Sequence, residues 1–400
     1  MGRRAIFIAC ICFITFFDNY VNPPGVRVFD FLGFIVIIAV VATGVIKLRR
    51  INKPSLLFYI VLFLTVVYTI PAGILLHNSW SFVPFLMGLS VFLILLNSIE
   101  FYSQFMNIIK YSLILTSIAI FTQFFIYIIS GGMPSFAILA TEMETRSSFA
   151  GLIMRPTGFY IEPGSHALAS MALLMIYLTI NNYRFDLLSV SAMAGVLLSM
   201  SFAGALVLFI ALVIVAAKKS ILRGILLVVC TISAIAGLIA LAPEPLMEAI
   251  NILYIDRFDV IRDGLDGSAN DRLGKINLDC FEYLYTKYPH GLLFGSGMTS
   301  DGFTTYCGSN NLSWAIFNFG IIISSVFVAL LFWGLRKAPL ILLALVYVGA
   351  SGQLSSYMFI WLYFALLIGP VRRFLALLHD NKKVSITSSH IFNRTHAHIT

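Results

Sequence analysis

The sequence predicts an all-α polytopic membrane protein of about twelve transmembrane helices with a large, partly helical extracytoplasmic loop. Three observations carry that reading. The chain is 60% hydrophobic and 11% charged, with a mean hydropathy of +0.94, whereas soluble domains carry about a quarter charged residues. Its apolar residues fall in runs near the roughly 20 residues that a bilayer core demands. Its lysines and arginines cluster in alternate gaps between those runs, as the positive-inside rule requires.

The spans read as 5–22, 28–46, 55–76, 81–99, 108–130, 163–181, 186–200, 203–217, 222–242, 311–333, 338–354 and 356–370. At twenty residues each they would occupy about 240 positions. Met1 to Arg4 and the apolar run after them have the charge and core of a secretory signal. Asp18-Asn19-Tyr20 stands where small residues would mark cleavage, so this segment reads as an uncleaved first span. Around Ser199-Met200-Ser201-Phe202 the pattern fits two short helices or one long tilted one. Gly204 and the flanking serines there suit a turn or a close helix contact.

Orientation follows from the bases. Arg3, Arg4, Lys47, Arg49, Arg50, Lys53, Lys110, Arg184, Lys218, Lys219, Arg223, Arg336, Lys337, Arg372, Arg373, Lys382, Lys383 and Arg394 lie on one side, 18 of the 26. That side is cytoplasmic, and both termini face it. The formal charge of +8 therefore belongs to cationic loops, and no nucleic-acid partner is expected. Residues 1–376 read as one transmembrane domain including outer loops 131–162 and 243–310, and 377–400 as a polar cytoplasmic tail. His390, His396 and His398 sit in that tail without nearby carboxylates, and no cysteine pair has zinc spacing. Neither a metal nor another cofactor is expected.

The late outer loop holds five bases and ten acids between 243 and 309, hence 5 − 10 = −5. A segment of that size and mixed charge reads as a folded element with two amphipathic helices. The second has Leu273, Ile276, Cys280, Phe281, Leu284 and Tyr288 on one face, Asn270 as N-cap and Pro289 as its end. His290-Gly291-Leu292-Leu293-Phe294-Gly295-Ser296-Gly297 follows, either a close-approach loop or a plain turn. The earlier outer loop ends in Arg155-Pro156-Thr157-Gly158-Phe159-Tyr160-Ile161-Glu162-Pro163-Gly164-Ser165-His166. Ionisable groups at the membrane boundary usually face a wet cavity or a partner, and an Arg155–Glu162 ion pair steadying the loop is the plainer alternative. Pro163 is a conventional first helical residue.

These segments resemble the O-antigen polymerase and O-antigen ligase superfamily. The matching features are Arg155, Gly158, Tyr160 with Phe159, Glu162 and Pro163; then Arg272 opening a loop helix before Gly295 and Gly297; then Ser309-Asn310 with Gly320 ten residues on. Together with the span count they cover most of the chain. Ligases of this superfamily carry a histidine where this chain has Ser309, a departure that points from the ligase to the polymerase.

The resemblance implies a GT-C-like glycosyltransferase architecture in a bacterial inner membrane. It implies polymerisation of polyprenyl-diphosphate-linked oligosaccharide repeats into O-antigen, capsule or exopolysaccharide. An O-antigen ligase acting on a lipid A-core acceptor, or a lipid-linked oligosaccharide flippase, is the alternative. Donor and acceptor would both be polyprenyl-diphosphate-linked oligosaccharides, with membrane lipids, a chain-length regulator and a flippase as partners. Such transfer needs a cationic clamp on the leaving diphosphate, for which arginine's fork is suited. Arg155 and Arg272 are the candidates, with Arg257 and Arg262 in reserve. Ion pairs with Asp256, Asp259 or Asp271 are the alternative for the loop arginines. Glu162 is the candidate base, ahead of His166 and His290, and Asn310 joins the substrate-binding set.

Cys280 and Cys307 share the outer side, which is oxidising if it is a periplasm, and no other cysteine does. The expectation is a Cys280–Cys307 disulfide, contributing about 3–4 kcal/mol in the chain-entropy model; two reduced thiols are the alternative. Thiol labelling of denatured, unreduced protein is expected to miss both residues. Labelling of both without prior reduction excludes the bridge.

Overall fold

A computed structural model describes residues 101–132, 134, 136, 148–149, 153–160, 163–241, 278–287, 291–295, 316, 320–322, 324–326, 328–329 and 338–350. The first four expected spans, the last one, most of the span 311–333, most of the outer loops and the tail 377–400 lie outside this set. In chain order the elements are α1 (Phe101–Ser130), β1 (Ser148–Phe149), β2 (Ile153–Met154), α2 (Pro163–Ile180), α3 (Leu187–Leu198), α4 (Phe202–Lys219), α5 (Ile221–Leu241), α6 (Leu278–Lys287), α7 (Gly291–Phe294) and α8 (Pro339–Ala350). Among the described residues, three helices are long and apolar enough to cross a membrane: Ile109–Ser130 within α1, α2 and α4. This is the framework of an all-α membrane protein.

Helix α2 is the axis of the packing. Every residue from 171 to 180 is buried, and α1, α3, α4 and α8 all pack against it. A helix apolar on every side belongs inside a bundle. Its neighbours are one-sided. Ile118, Phe125 and Ile129 of α1 are exposed, as are Leu222, Ile225, Leu226 and Val229 of α5, which packs on α4.

The starts and stops have local causes. Helix α1 begins at Phe101, earlier than the expected 108. No proline or glycine interrupts 101–108, so the helix continues where hydropathy alone ends the span. Pro163 opens α2 as expected. At the other end Asn182 takes φ +53, and the Tyr183 amide donates to the Leu178 carbonyl at 2.7 Å. That is the six-to-one bond of a Schellman cap, with asparagine in the place glycine usually takes. Asp186 then caps α3, accepting from the Ser189 amide at 2.9 Å while the Asp186 amide donates to Ser189 Oγ at 2.8 Å. The Tyr177 hydroxyl donates to the same aspartate, which joins the end of α2 to the start of α3.

Of the two arrangements open for 186–217, the structure has two helices. Met200 breaks the run at φ +49, and Ser201 caps α4 by accepting from the Gly204 amide at 3.3 Å. Gly204 is also a contact point, because a Cβ there would lie 2.6 Å from the Ala167 Cβ. From that contact α2 and α4 run to Arg184 and to Lys218 and Lys219, so these exposed bases share one end of the bundle. In the late loop, α6 buries Leu284 of the expected apolar face and exposes Glu282. The stretch read as a loop or turn after it differs: Gly291–Phe294 is one helical turn, closed by Gly295 at φ +83.

The Ala167–Gly204 contact generates a test. Overpacking a tight helix contact costs about 1–3 kcal/mol. Gly204→Ala is expected to lower the thermal midpoint in detergent, more than Gly224→Ala, whose added Cβ would lie 3.1 Å from Ala217. Adding Ala167→Gly to Gly204→Ala is expected to recover much of the loss. An unchanged midpoint for Gly204→Ala rules the contact out.

Candidate functional site

The segment that matched the superfamily pattern is delivered by an antiparallel hairpin absent from the sequence reading. Ser148 pairs with Met154 and Phe149 with Ile153. Strands of two residues leave no alternation for a sequence to display. Arg155 follows β2 directly and is half-buried, and Pro156, Thr157 and Gly158 are buried.

The chain then turns back. The Tyr160 amide donates to the Thr157 carbonyl at 3.1 Å, and Gly158, first of the two central residues, has φ +61. A left-handed φ at that place is the mark of the primed turns and favours glycine. A side chain would meet a second obstacle, since a Cβ on Gly158 would lie 3.0 Å from His166 Nδ1. Gly295 and Gly320 also have left-handed φ, +83 and +76, a backbone conformation that favours glycine.

Gln123 of α1 holds this turn. Its Oε1 accepts from the Thr157 amide at 2.7 Å and the Gly158 amide at 2.8 Å. Its Nε2 donates to the Pro134 carbonyl at 2.7 Å and lies 3.5 Å from Thr157 Oγ1. Gln123 and Thr157 are each 1% exposed. Buried amides without a partner cost about 1–3 kcal/mol each, so one side chain removes two such penalties. Sequence reasoning missed Gln123; the available signal was a lone amide in an apolar span.

His166 sits beneath the turn, in the first turn of α2. It is 1% exposed, with Nε2 3.3 Å from Ser170 Oγ and its ring edge-on to Tyr160 at 5.8 Å. Nδ1 has no hydrogen-bond partner among the described residues. Gly195 of α3 covers the ring from the other side, with Ile120 of α1 beside it. Burial pushes the Tyr160 phenol above its usual value, so its hydroxyl stays protonated. The result is a polar knot of Gln123, Thr157, Tyr160, His166 and Ser170 at one end of α2, next to Arg155.

Of the expected site residues, His166 lies against Gly158 of this turn, and Arg155 stands two residues before the turn begins at Thr157. Glu162, Arg257, Arg262, Arg272, His290, Ser309, Asn310 and Cys307 lie outside the described residues. Cys280 lies in α6, with its side chain outside that set. In comparison with known proteins, no family model matches the chain and no curated protein matches it significantly.

The two constraints on Gly158 predict an asymmetry. A non-glycine residue in the left-handed region costs about 1–2 kcal/mol, to which the His166 contact adds. Gly158→Ala is expected to lower the thermal midpoint in detergent. Gly164→Ala, where an added Cβ meets nothing within 4 Å, is expected to leave it unchanged or raise it. Equal midpoints for the two variants contradict this account of the turn.

Proposed function

We propose that this protein polymerises polyprenyl-diphosphate-linked oligosaccharide repeats at the outer face of a bacterial inner membrane, as a multi-pass enzyme with both termini in the cytoplasm. The observation that carries the reading is the Arg155–Pro163 segment. It has the superfamily's residue order, and the Thr157–Tyr160 turn that follows Arg155 is held by Gln123 of an apolar helix. Preorganised charge at such a place is what transfer from a diphosphate needs.

In the proposed step an acceptor hydroxyl oxygen bonds to the donor's anomeric carbon as the bond from that carbon to the diphosphate oxygen breaks. The electron pair leaves with the polyprenyl diphosphate, whose negative charge Arg155 and Arg272 balance. The hydroxyl proton passes to Glu162. Arginine supports this role through two parallel N–H donors to phosphate oxygens, a geometry an ammonium lacks.

Surface polysaccharide from a deletion strain is expected to show single-repeat chains on the lipid anchor; anchors with no repeat at all favour a ligase. Arg155→Ala and Arg272→Ala are expected to abolish polymer at normal membrane levels, and the lysine variants to rescue poorly. Glu162→Gln is expected to lose on the order of a hundred- to ten-thousandfold in turnover. Full-length polymer from either alanine variant, or wild-type chain growth in Glu162→Gln, removes that residue from the site.

A further inference from the structure

We propose that Gln123 is a positioning residue for the outer-face site, fastening Pro134 and the Thr157–Gly158 backbone to the membrane helix α1 and so fixing where Arg155 stands. The proposal rests on the polymerase reading for its functional half and on geometry alone for its structural half. Pro134 is four residues past the end of α1, and Thr157 and Gly158 come just before α2 begins at Pro163. A single carboxamide bonds all three: it accepts from the Thr157 and Gly158 amides and donates to the Pro134 carbonyl. Its capacity is nearly spent in doing so, because a carboxamide offers one acceptor oxygen and two N–H donors. The second donor is directed to Thr157 Oγ1 at 3.5 Å.

The clamp acts on the backbone immediately beside the charged residues. Arg155 is two residues before Thr157, and Glu162 is four residues after Gly158. A Cβ at Gly158 would lie 3.0 Å from His166 Nδ1 and 3.8 Å from Ala119 of α1, so the turn is also closely packed. Loss of the Gln123 bonds releases the segment at two amides that stand two and three residues after Arg155. Arg155 moves with it. Displacement of a catalytic group by about an ångström from its productive place costs rate steeply.

Two substitutions separate positioning from packing. Methionine has glutamine's length and no strong donor or acceptor, so Gln123→Met keeps the volume and removes the clamp. Glutamate keeps an oxygen that accepts both amides and, when protonated, a donor for Pro134. If Gln123 only fills space, methionine is tolerated and the buried glutamate is not. If it positions the turn, the order reverses.

The experiment measures amide hydrogen exchange at Thr157 and Gly158 in the purified full-length protein, with polymer length in cells at matched membrane levels. Gln123→Met is expected to speed exchange at both amides about tenfold or more, as loss of two hydrogen bonds implies, and to shorten or abolish polymer. Gln123→Glu is expected to keep protection and to restore polymer in part. Arg155→Ala is expected to abolish polymer with exchange unchanged, which separates the chemistry from the clamp. Protected amides in Gln123→Met, or fast exchange with full-length polymer, overturns the proposal whatever Gln123→Glu does. Fast exchange in Gln123→Met together with normal polymer from the deletion strain removes the polymerase reading, and with it the functional half, while the clamp stands.

Discussion

Within a bilayer or a packed apolar core, a backbone amide has no water to bind, so each departure from helix must find its own partners. The bonds that the Thr157 and Gly158 amides donate to Gln123 meet that demand where the chain turns back before α2. Other polar side chains answer it more locally. Thr116 donates to the Ser112 carbonyl at 2.9 Å and Thr179 to the Met175 carbonyl at 2.7 Å, each within its own helix. Gln123 reaches out of its helix instead, and the turn that follows Arg155 depends on it.

Small residues supply the other half of the arrangement. Gly195 lets Ile120 and His166 come close, and Gly204 lets α4 rest on Ala167. In lipid, where apolar side chains gain little from leaving their solvent, close approach and dispersion hold helices together. The same contacts place the Ser199–Ser201 turn at the depth of the first turns of α2. The polar knot around His166 thus lies among three helices and one loop, and each contributes either a small residue or a hydrogen bond.

Much of this was legible in the sequence where a single chain segment carries its own signal. Pro163 and the apolar run after it mark α2, and the run from 222 to 242 coincides with α5. The split at 199–202 was legible only as a pair of options, because hydropathy does not record that Met200 adopts a left-handed φ. The early start of α1 escaped for a related reason: Tyr102, Ser103, Gln104 and Asn107 are polar but helix-compatible, and span reading weighs polarity alone. The one-turn helix at Gly291–Phe294 is too short for any periodicity. Gln123 stood out only as a lone amide in an apolar span, and its partners at Thr157 and Gly158 could not be read because they are 34 and 35 positions away. The proline that opens α2 was legible, whereas the side chain that holds the Thr157–Tyr160 turn was not.

The burial of α2 also bears on how the chain enters its membrane. Of the three helices long enough to cross, α2 is the least apolar and the most enclosed. It opens with Gly164, Ser165 and His166 and carries Ser170 and Thr179 further along. Such a segment gains less from lipid than α1 or α4 does, and it has almost no surface to offer lipid once assembled. During synthesis α1 emerges first and can settle alone, while α2 finds its proper surroundings only when Gly204 arrives on α4 to cover Ala167. The helix most central to the finished bundle is therefore the one whose insertion leans on a neighbour made later.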